Sequence, residues 1–217
     1  MIPAYNASKT ILTLANKIDK TIPKKDIIII DDGSSDSTYQ LAKESEVVVI
    51  QHQKNKGKGE ALKTGFEYAI RNGYDALITI DADLQHDPVY IKDFIARAEN
   101  DFCGIIVGTR NISLKMMPFL RWLTNNLTSI IISVLAGTKI RDSQSGYRLI
   151  STQVLKSIDL RTKKYDLESE ILIKAGRKRF EIDEVSISTI YEGSKSFINP
   201  FVDTFRFLRL IWRSLWW

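Results

Sequence analysis

The feature that most restricts this chain is a set of four short segments that are apolar almost throughout instead of at every second position: residues 27–30, 47–50, 76–80 and 104–107. Side chains alternate between the two faces of a strand, so a strand that is apolar on both must be covered on both. The residues between these segments show helical patterns at 10–20, 38–45, 60–72 and 89–99. Strands and helices in alternation predict an α/β class, with a mostly parallel sheet flanked by helices. At 217 residues and 44% hydrophobic, the chain is long enough for one domain with a sizeable core. Eleven Gly and five Pro exclude a collagen-like or low-complexity chain, and no linker or internal repeat interrupts the pattern. The first strand is unusually short, because only Ile2 precedes Pro3. Either the sheet begins with a stub or residues upstream of Met1 are missing.

One cysteine, Cys103, excludes an intramolecular disulfide framework and an all-thiolate zinc site, so cytosolic folding is the default expectation. The net charge of +5 is unevenly spread. Residues 110–148 carry Arg110, Lys115, Arg121, Lys139, Arg141 and Arg148 against Asp142 alone, and residues 193–217 carry Lys195, Arg206, Arg209 and Arg213 against Asp203. Both segments are also rich in Leu, Ile, Phe and Trp, which suits anionic lipid or phosphate; no nucleic-acid recognition module is present. Solvated basic faces are the plainer alternative. The N-terminus has neither the basic nor the apolar region of a secretory signal. Residues 119–136 are interrupted by Arg121, Asn125 and Asn126 and are not expected to span a membrane. Wound as a helix, residues 201–217 place Asp203, Arg206, Arg209 and Arg213 within an arc of roughly 120°, opposite Phe205, Leu208, Trp212, Leu215 and Trp216. Val202, Leu210 and Trp217 spoil the polar side. Such a helix suits the headgroup layer of a membrane, and a helix docked on the protein or on a second copy is the alternative. Nothing in the sequence indicates an oligomeric state.

In open α/β sheets ligands bind beyond the carboxyl ends of the strands, so the loops after the apolar segments are read first. Asp31-Asp32-Gly33-Ser34 follows the first of these. A carboxylate there could accept from a base N–H or a ribose hydroxyl, or simply cap a helix. Asp81-Ala82-Asp83-Leu84-Gln85-His86-Asp87-Pro88 is the strongest local signal. In an extended segment Asp81, Asp83 and Gln85 would face one way, a hard-oxygen set suited to Mg²⁺ or Mn²⁺, and small Ala82 leaves the backbone approachable. An acidic turn before a helix opened by Pro88 is the structural alternative, and His86 reads as a surface or supporting histidine. Asn55-Lys56-Gly57-Lys58-Gly59-Glu60 opens a helix, whose free N–H groups favour an anion, although a flexible loop would look the same.

These loops, with Pro3-Ala4-Tyr5-Asn6, Gly108-Thr109-Arg110, Asp142-Ser143-Gln144-Ser145-Gly146-Tyr147-Arg148 and Tyr191-Glu192-Gly193-Ser194-Lys195, occur in one order. The ordered set resembles family 2 glycosyltransferases of the Rossmann-like GT-A fold, in particular the dolichyl-phosphate mannose synthase and polyprenyl-phosphate glycosyltransferase branch. The resemblance implies a GT-A domain over residues 1–192 and a basic amphipathic membrane-interface tail over 193–217. It also implies a nucleotide-sugar donor, GDP-mannose or a UDP-sugar, and a polyprenyl or dolichyl phosphate acceptor met peripherally at the cytoplasmic face of a membrane. Pro3, Tyr5, Ile30, Asp31 and Asp32 would hold the nucleoside, with Lys58, Ala82 and Lys195 also on the donor side. Asp81, Asp83 and Gln85 would hold the metal. Arg110 and Arg121 would meet the acceptor phosphate, with Asp142 and Arg148 shaping the acceptor side. Two positions depart from the family pattern on the donor side, Ala7 in place of Glu and Thr189 in place of Arg.

The implied chemistry is an inverting single displacement. A divalent cation stabilises charge on the departing diphosphate, and a lipid monophosphate, already anionic, attacks without a general base. What it needs is positive charge to hold it, for which Arg110, Arg121, Arg141 and Arg148 are candidates, and apolar surface along residues 118–135. A saccharide hydroxyl acceptor would instead need a carboxylate base, for which Asp166, Glu168 and Glu170 are candidates unless they merely open a helix. A membrane-docked nucleotide-binding subunit without catalysis is the non-enzyme alternative.

Overall fold

A computed structural model of the chain describes residues 1–98, 102–110, 119–164, 166–188, 209–214 and 216, the side chains of 119–122 excepted. Its first half repeats strand and helix: β1 (Ile2–Ala4), α1 (Ile11–Ile18), β2 (Ile28–Asp31), α2 (Thr38–Glu44), β3 (Val48–Gln51), α3 (Lys58–Arg71), β4 (Ala76–Thr79) and α4 (Ile91–Arg97). The second half contains β5 (Gly104–Arg110), α5 (Phe119–Ala136), β6 (Arg148–Ser151), α6 (Thr152–Ser157), α7 (Asp166–Arg177) and β7 (Glu181–Ile187). The strands β1, β2 and β3 are parallel neighbours in that order. A second group runs β4-β6-β5-β7, with β6 antiparallel to both of its neighbours and β7 parallel to β5. Met1 joins the two groups: its amine donates to Ile78 O at 2.7 Å, and Ile80 N donates to Met1 O at 3.1 Å. β1 has three residues.

The expectation of strands covered on both faces is met residue by residue along β5. Ile105 and Val107 pack among Leu62, Phe66, Ile132 and Ile171 under α3, α5 and α7. Ile106, between them, packs among Ile11, Leu14, Ile91 and Phe94 under α1 and α4. All three are completely buried, and each such side chain contributes about 1.5–3 kcal/mol. α1 buries Ile11, Leu14, Ala15 and Ile18, the one-face spacing of an amphipathic helix. The result is a sheet whose carboxyl-end loops, after β1, β2, β4 and β5, collect along one edge.

Among the described residues no helix is long and apolar enough to cross a membrane. Of the tail, residues 209–214 are helical. Leu210, one of the three residues that spoil the polar side in the sequence pattern, is 2% exposed and packs into the core beside α5 and α7, and Ser214 is fully buried. The Arg177 guanidinium donates to Leu135 O at 2.9 Å and to Ser214 O, joining α5, α7 and the tail. Trp212 and Trp216 point outward, 67% and 79% exposed. The described part of the tail therefore docks on the protein while presenting tryptophan to the outside. Residues 193–208 lie outside the described residues.

Candidate active site

The loops after β1 and β2 are tied together. Ser34 Oγ accepts from Asn6 N, and Asn6 Oδ1 accepts from Ser35 N, both at 2.9 Å. Asp31 accepts from Gln51 Nε2 at 3.0 Å and from the backbone N–H and the hydroxyl of Ser34. Asp32 is 2% exposed. Its Oδ1 meets His52 Nδ1 at 2.7 Å and accepts from Lys56 N at 3.0 Å, while Oδ2 accepts from Gly57 N at 2.7 Å. Neither aspartate caps the following helix; α2 has no side-chain cap at Ser37. Instead Asp32 binds the 52–57 loop to the end of β2, which sets where α3 begins, and Asp31 ties Ser34 to Gln51 of β3. The Ile30 side chain packs against Ile28 and Ala61 in the core, so that residue has only backbone to offer a donor. Tyr5 stands half-exposed beside these loops.

At the end of β4 the expected extended run is replaced by a turn. Leu84 has φ 61°, and Asp83 Oδ1 accepts from Gln85 N at 3.0 Å. Burial raises the Asp83 carboxyl above the ordinary value against the pull of the Gln85 N–H, and the nearby Asp81 charge adds to the rise. For Asp81, burial pushes upward but is outweighed by Lys58, and the carboxyl is held below the ordinary range. Lys58 Nζ lies 2.6 Å from Asp81 Oδ1 and 3.2 Å from Glu168 Oε1. Those two carboxylates outweigh the cost of its burial and push its pKa up. The sequence pointed to the free N–H groups at this helix start, yet Gly57 N is taken by Asp32. The chemistry here comes from the Lys58 side chain, whose partners lie too far along the chain for any local signal to show them.

Gly146 abuts the same carboxylate: a Cβ there would stand 2.8 Å from Asp81 Cγ, so only glycine leaves room. His86 is 4% exposed, and burial pushes it down to about 4, leaving a neutral ring whose Nδ1 has no partner. Among the described residues no three His, Cys, Asp or Glu side chains form a metal cage. Asp81, Asp83 and the Gln85 amide nevertheless fit Mg²⁺ or Mn²⁺, which are held by one or two carboxylates and completed by water and ligand phosphates. The Lys58 ammonium already places positive charge on Asp81.

The basic side lies beyond β5. The Arg110 guanidinium grips Asp142 with two bonds, Nε to Oδ2 at 2.6 Å and Nη2 to Oδ1 at 2.8 Å. A cavity of about 740 Å³ opens beside it, lined by Thr109, Arg110, Ser129, Ser133, Lys139 and Arg141 among others. The Thr109 hydroxyl is buried without a partner. The Arg141 backbone N–H donates to Glu184 Oε1 at 2.7 Å, and its guanidinium pairs with Glu184 Oε2 at 3.3 Å.

Arg148 does not join this group. It is 1% exposed, and its three guanidinium nitrogens donate to Ser145 O, Glu168 O and Ser143 O at 2.6–2.8 Å. It holds backbone in place, and its charge also helps to lower the Asp81 carboxyl. Glu170 is likewise removed as a base. Its carboxylate accepts from Arg161 N, Thr162 N, the Thr162 hydroxyl and Lys174 Nζ. Asp166 and Glu168 do open a helix, α7. The backbone of Arg121 lies on α5, but its side chain and all of Lys195 are outside the described residues.

One short loop thus connects the two sides, since Asp142 holds Arg110 at one end and Gly146 seats Asp81 at the other.

Known proteins resemble this chain in sequence and in fold. The chain is 38% identical over 213 residues to the UDP-N-acetylglucosamine–dolichyl-phosphate N-acetylglucosaminyltransferase of Methanococcus voltae, covering 88% of this chain and 84% of that protein. It is 28% identical over 200 residues to the polyprenol monophosphomannose synthase of Mycolicibacterium smegmatis, covering 87% and 75%. Glucosyl-3-phosphoglycerate synthase from Mycobacterium tuberculosis, crystallised with Mn²⁺, UDP and phosphoglyceric acid, shares the fold with a TM-score of 0.75 and 19% identity over 99% of this chain and 75% of that one. The signature of Glycosyl transferase family 2 matches residues 1–159, and the chain belongs to that family.

Proposed function

We propose that this chain transfers a glycosyl group from a nucleotide diphosphate sugar to a polyprenyl or dolichyl monophosphate. The observation that carries the reading is the 142–146 loop, which holds Arg110 through Asp142 and abuts the Asp81 carboxylate at Gly146. The printed functions of the relatives from Methanococcus and Mycolicibacterium, both lipid-phosphate glycosyltransferases, support it.

Asp81, Asp83 and Gln85 would hold Mg²⁺ or Mn²⁺, which when bound supplies Lewis-acid stabilisation of the diphosphate. The structural neighbour crystallised with Mn²⁺ and UDP supports that use. Tyr5, Pro3 and the Asp31–Asp32 turn border the nucleoside, and Lys58 and Lys195 serve the donor diphosphate. Arg110, with Lys139 and Arg141 around the 740 Å³ cavity, receives the acceptor phosphate, and Arg121 adds a second guanidinium. A phosphate oxygen of the acceptor attacks the anomeric carbon as its bond to the diphosphate breaks. The nucleoside diphosphate leaves, and the configuration inverts.

The apolar outer stripe of α5, with Leu123, Leu127, Ile130 and Val134 exposed, and the outward Trp212 and Trp216 support peripheral contact with a membrane; the proposal takes the cytoplasmic face as its side. In this reading residues 193–217 form the interface tail. A saccharide hydroxyl acceptor is less well served, since the Glu170 carboxylate is committed to the 161–162 backbone and to Lys174.

The test is a donor screen with Mn²⁺, a short-chain polyprenyl phosphate and labelled GDP-mannose, UDP-glucose or UDP-N-acetylglucosamine, followed by organic extraction. Label in the organic phase from one donor is expected. None from any donor overturns the proposal, and turnover with a soluble sugar acceptor moves the function to the hydroxyl class.

A further inference from the structure

Lys58 is the first residue of α3, and both of its neighbours are pinned. Gly57 N donates to Asp32 at 2.7 Å. Gly59 sits so close to Lys163 and Lys164 that a Cβ on it would stand 2.7 Å from Lys164 N. The helix start is therefore held on both sides of Lys58, and the freedom left to this residue lies in the torsions of its flexible four-carbon stem. Its ammonium, on a side chain 18% exposed, lies between Asp81 at 2.6 Å and Glu168 at 3.2 Å. Asp81 is also one of the carboxylates suited to a divalent cation. A cation arriving alone would have to displace the ammonium and then face it across a poorly hydrated gap, where like charges repel strongly. A diphosphate arriving with the cation removes that conflict, because its oxygens give the ammonium a new partner.

Resting on the reading of this cleft as a nucleotide-diphosphate site, we infer that Lys58 is a built-in counter-ion that occupies Asp81 and makes cation uptake depend on the donor. Lys58 is thus a positioning residue as well as a donor contact, and it guards the aspartates against cation without substrate.

The experiment measures Mn²⁺ binding by electron paramagnetic resonance for the wild-type chain, Lys58→Met and Lys58→Arg, each alone and with UDP or GDP. The wild type and Lys58→Arg should bind Mn²⁺ at least tenfold more tightly with one of the nucleotides than without. Lys58→Met should bind Mn²⁺ alone at least tenfold more tightly than the wild type does, and should lose most of the nucleotide-dependent gain. Damage to the fold lowers affinity, so a gain cannot come from it. If Lys58→Met fails to fold in metal-free buffer, refolding with Mn²⁺ should recover it, since the cation replaces the missing charge. Affinity for Mn²⁺ alone no greater than wild type, or no recovery with Mn²⁺, overturns the inference. A wild type that gains nothing from either nucleotide overturns the donor-site reading as well, and a failed donor screen with the Mn²⁺ pattern intact strikes only the lipid-phosphate reading.

Discussion

Arg110 and Arg148 come from one basic stretch and stand on paired strands, β5 and β6, with Val107 opposite Arg148. Their surroundings separate them. The Arg110 guanidinium faces a carboxylate and borders a cavity. Arg148 gives its three guanidinium nitrogens to backbone carbonyls, two in the 142–146 loop and one at the start of α7, and burial lowers its pKa. A guanidinium beside a cleft keeps its charge within reach of a ligand, whereas one surrounded by carbonyls acts as a strut. Positive charge counted along a sequence overstates what a cleft receives.

Exchanging the two arginines' partners tests this division. The largest effect should come from Arg148→Met, which removes a buried donor from three backbone carbonyls and should cost about 3 kcal/mol or more, read from the denaturant midpoint. A loss within experimental error would mean that the strut is dispensable. Asp142→Asn should cost about 2 kcal/mol, because hydrogen bonds to a charged group are worth more than neutral ones, and it should also raise the KM for lipid phosphate. Arg110→Lys keeps an ion pair to Asp142 and should cost less stability than Asp142→Asn, while lowering kcat/KM about tenfold to a hundredfold, roughly 1–3 kcal/mol at the transition state. If Arg110→Lys melts early with normal turnover, the assignment of the two arginines is reversed.

The smallest effect concerns two glutamates that repeat the contrast one half-turn apart on α7. For Glu170, burial pushes the carboxyl up, but Lys174 and the donors of Arg161 and Thr162 pull it further down, below the ordinary 4.5. The folded state then binds fewer protons than the unfolded one, so this contribution is complete above pH 4.5 and is lost as the pH falls through the folded value. Glu170→Gln should cost about 1 kcal/mol at neutral pH and flatten the acid side of the stability profile. Glu168→Gln should leave that limb unchanged and act on Lys58 instead.

Much of the architecture could be read from residues alone. Continuous apolar strands require cover on both faces, a local property of composition, and β2, β3, β4 and β5 each lie within a few residues of the predicted segments. β6 and β7 were not legible. β6 is four residues beginning with a buried arginine, and β7 mixes acidic and apolar residues that are mostly half-exposed. Neither carries a continuous apolar signal, and both exist because β5 offers them backbone partners.

The candidate site divides the same way. Which loops carry carboxylates, and that they follow strands, is written in the chain order, since a parallel sheet gathers the ends of its strands at one edge. What each charged side chain does there was settled only by packing. Lys58 and Glu168 lie 110 residues apart, and Gly146 reaches Asp81 only because β6 lies beside β4. The sequence by itself determined the layers and the inventory of charges, because burial periodicity is local; the tertiary structure decided which charges meet, because Coulomb and hydrogen-bond energies depend on distance in space and not along the chain.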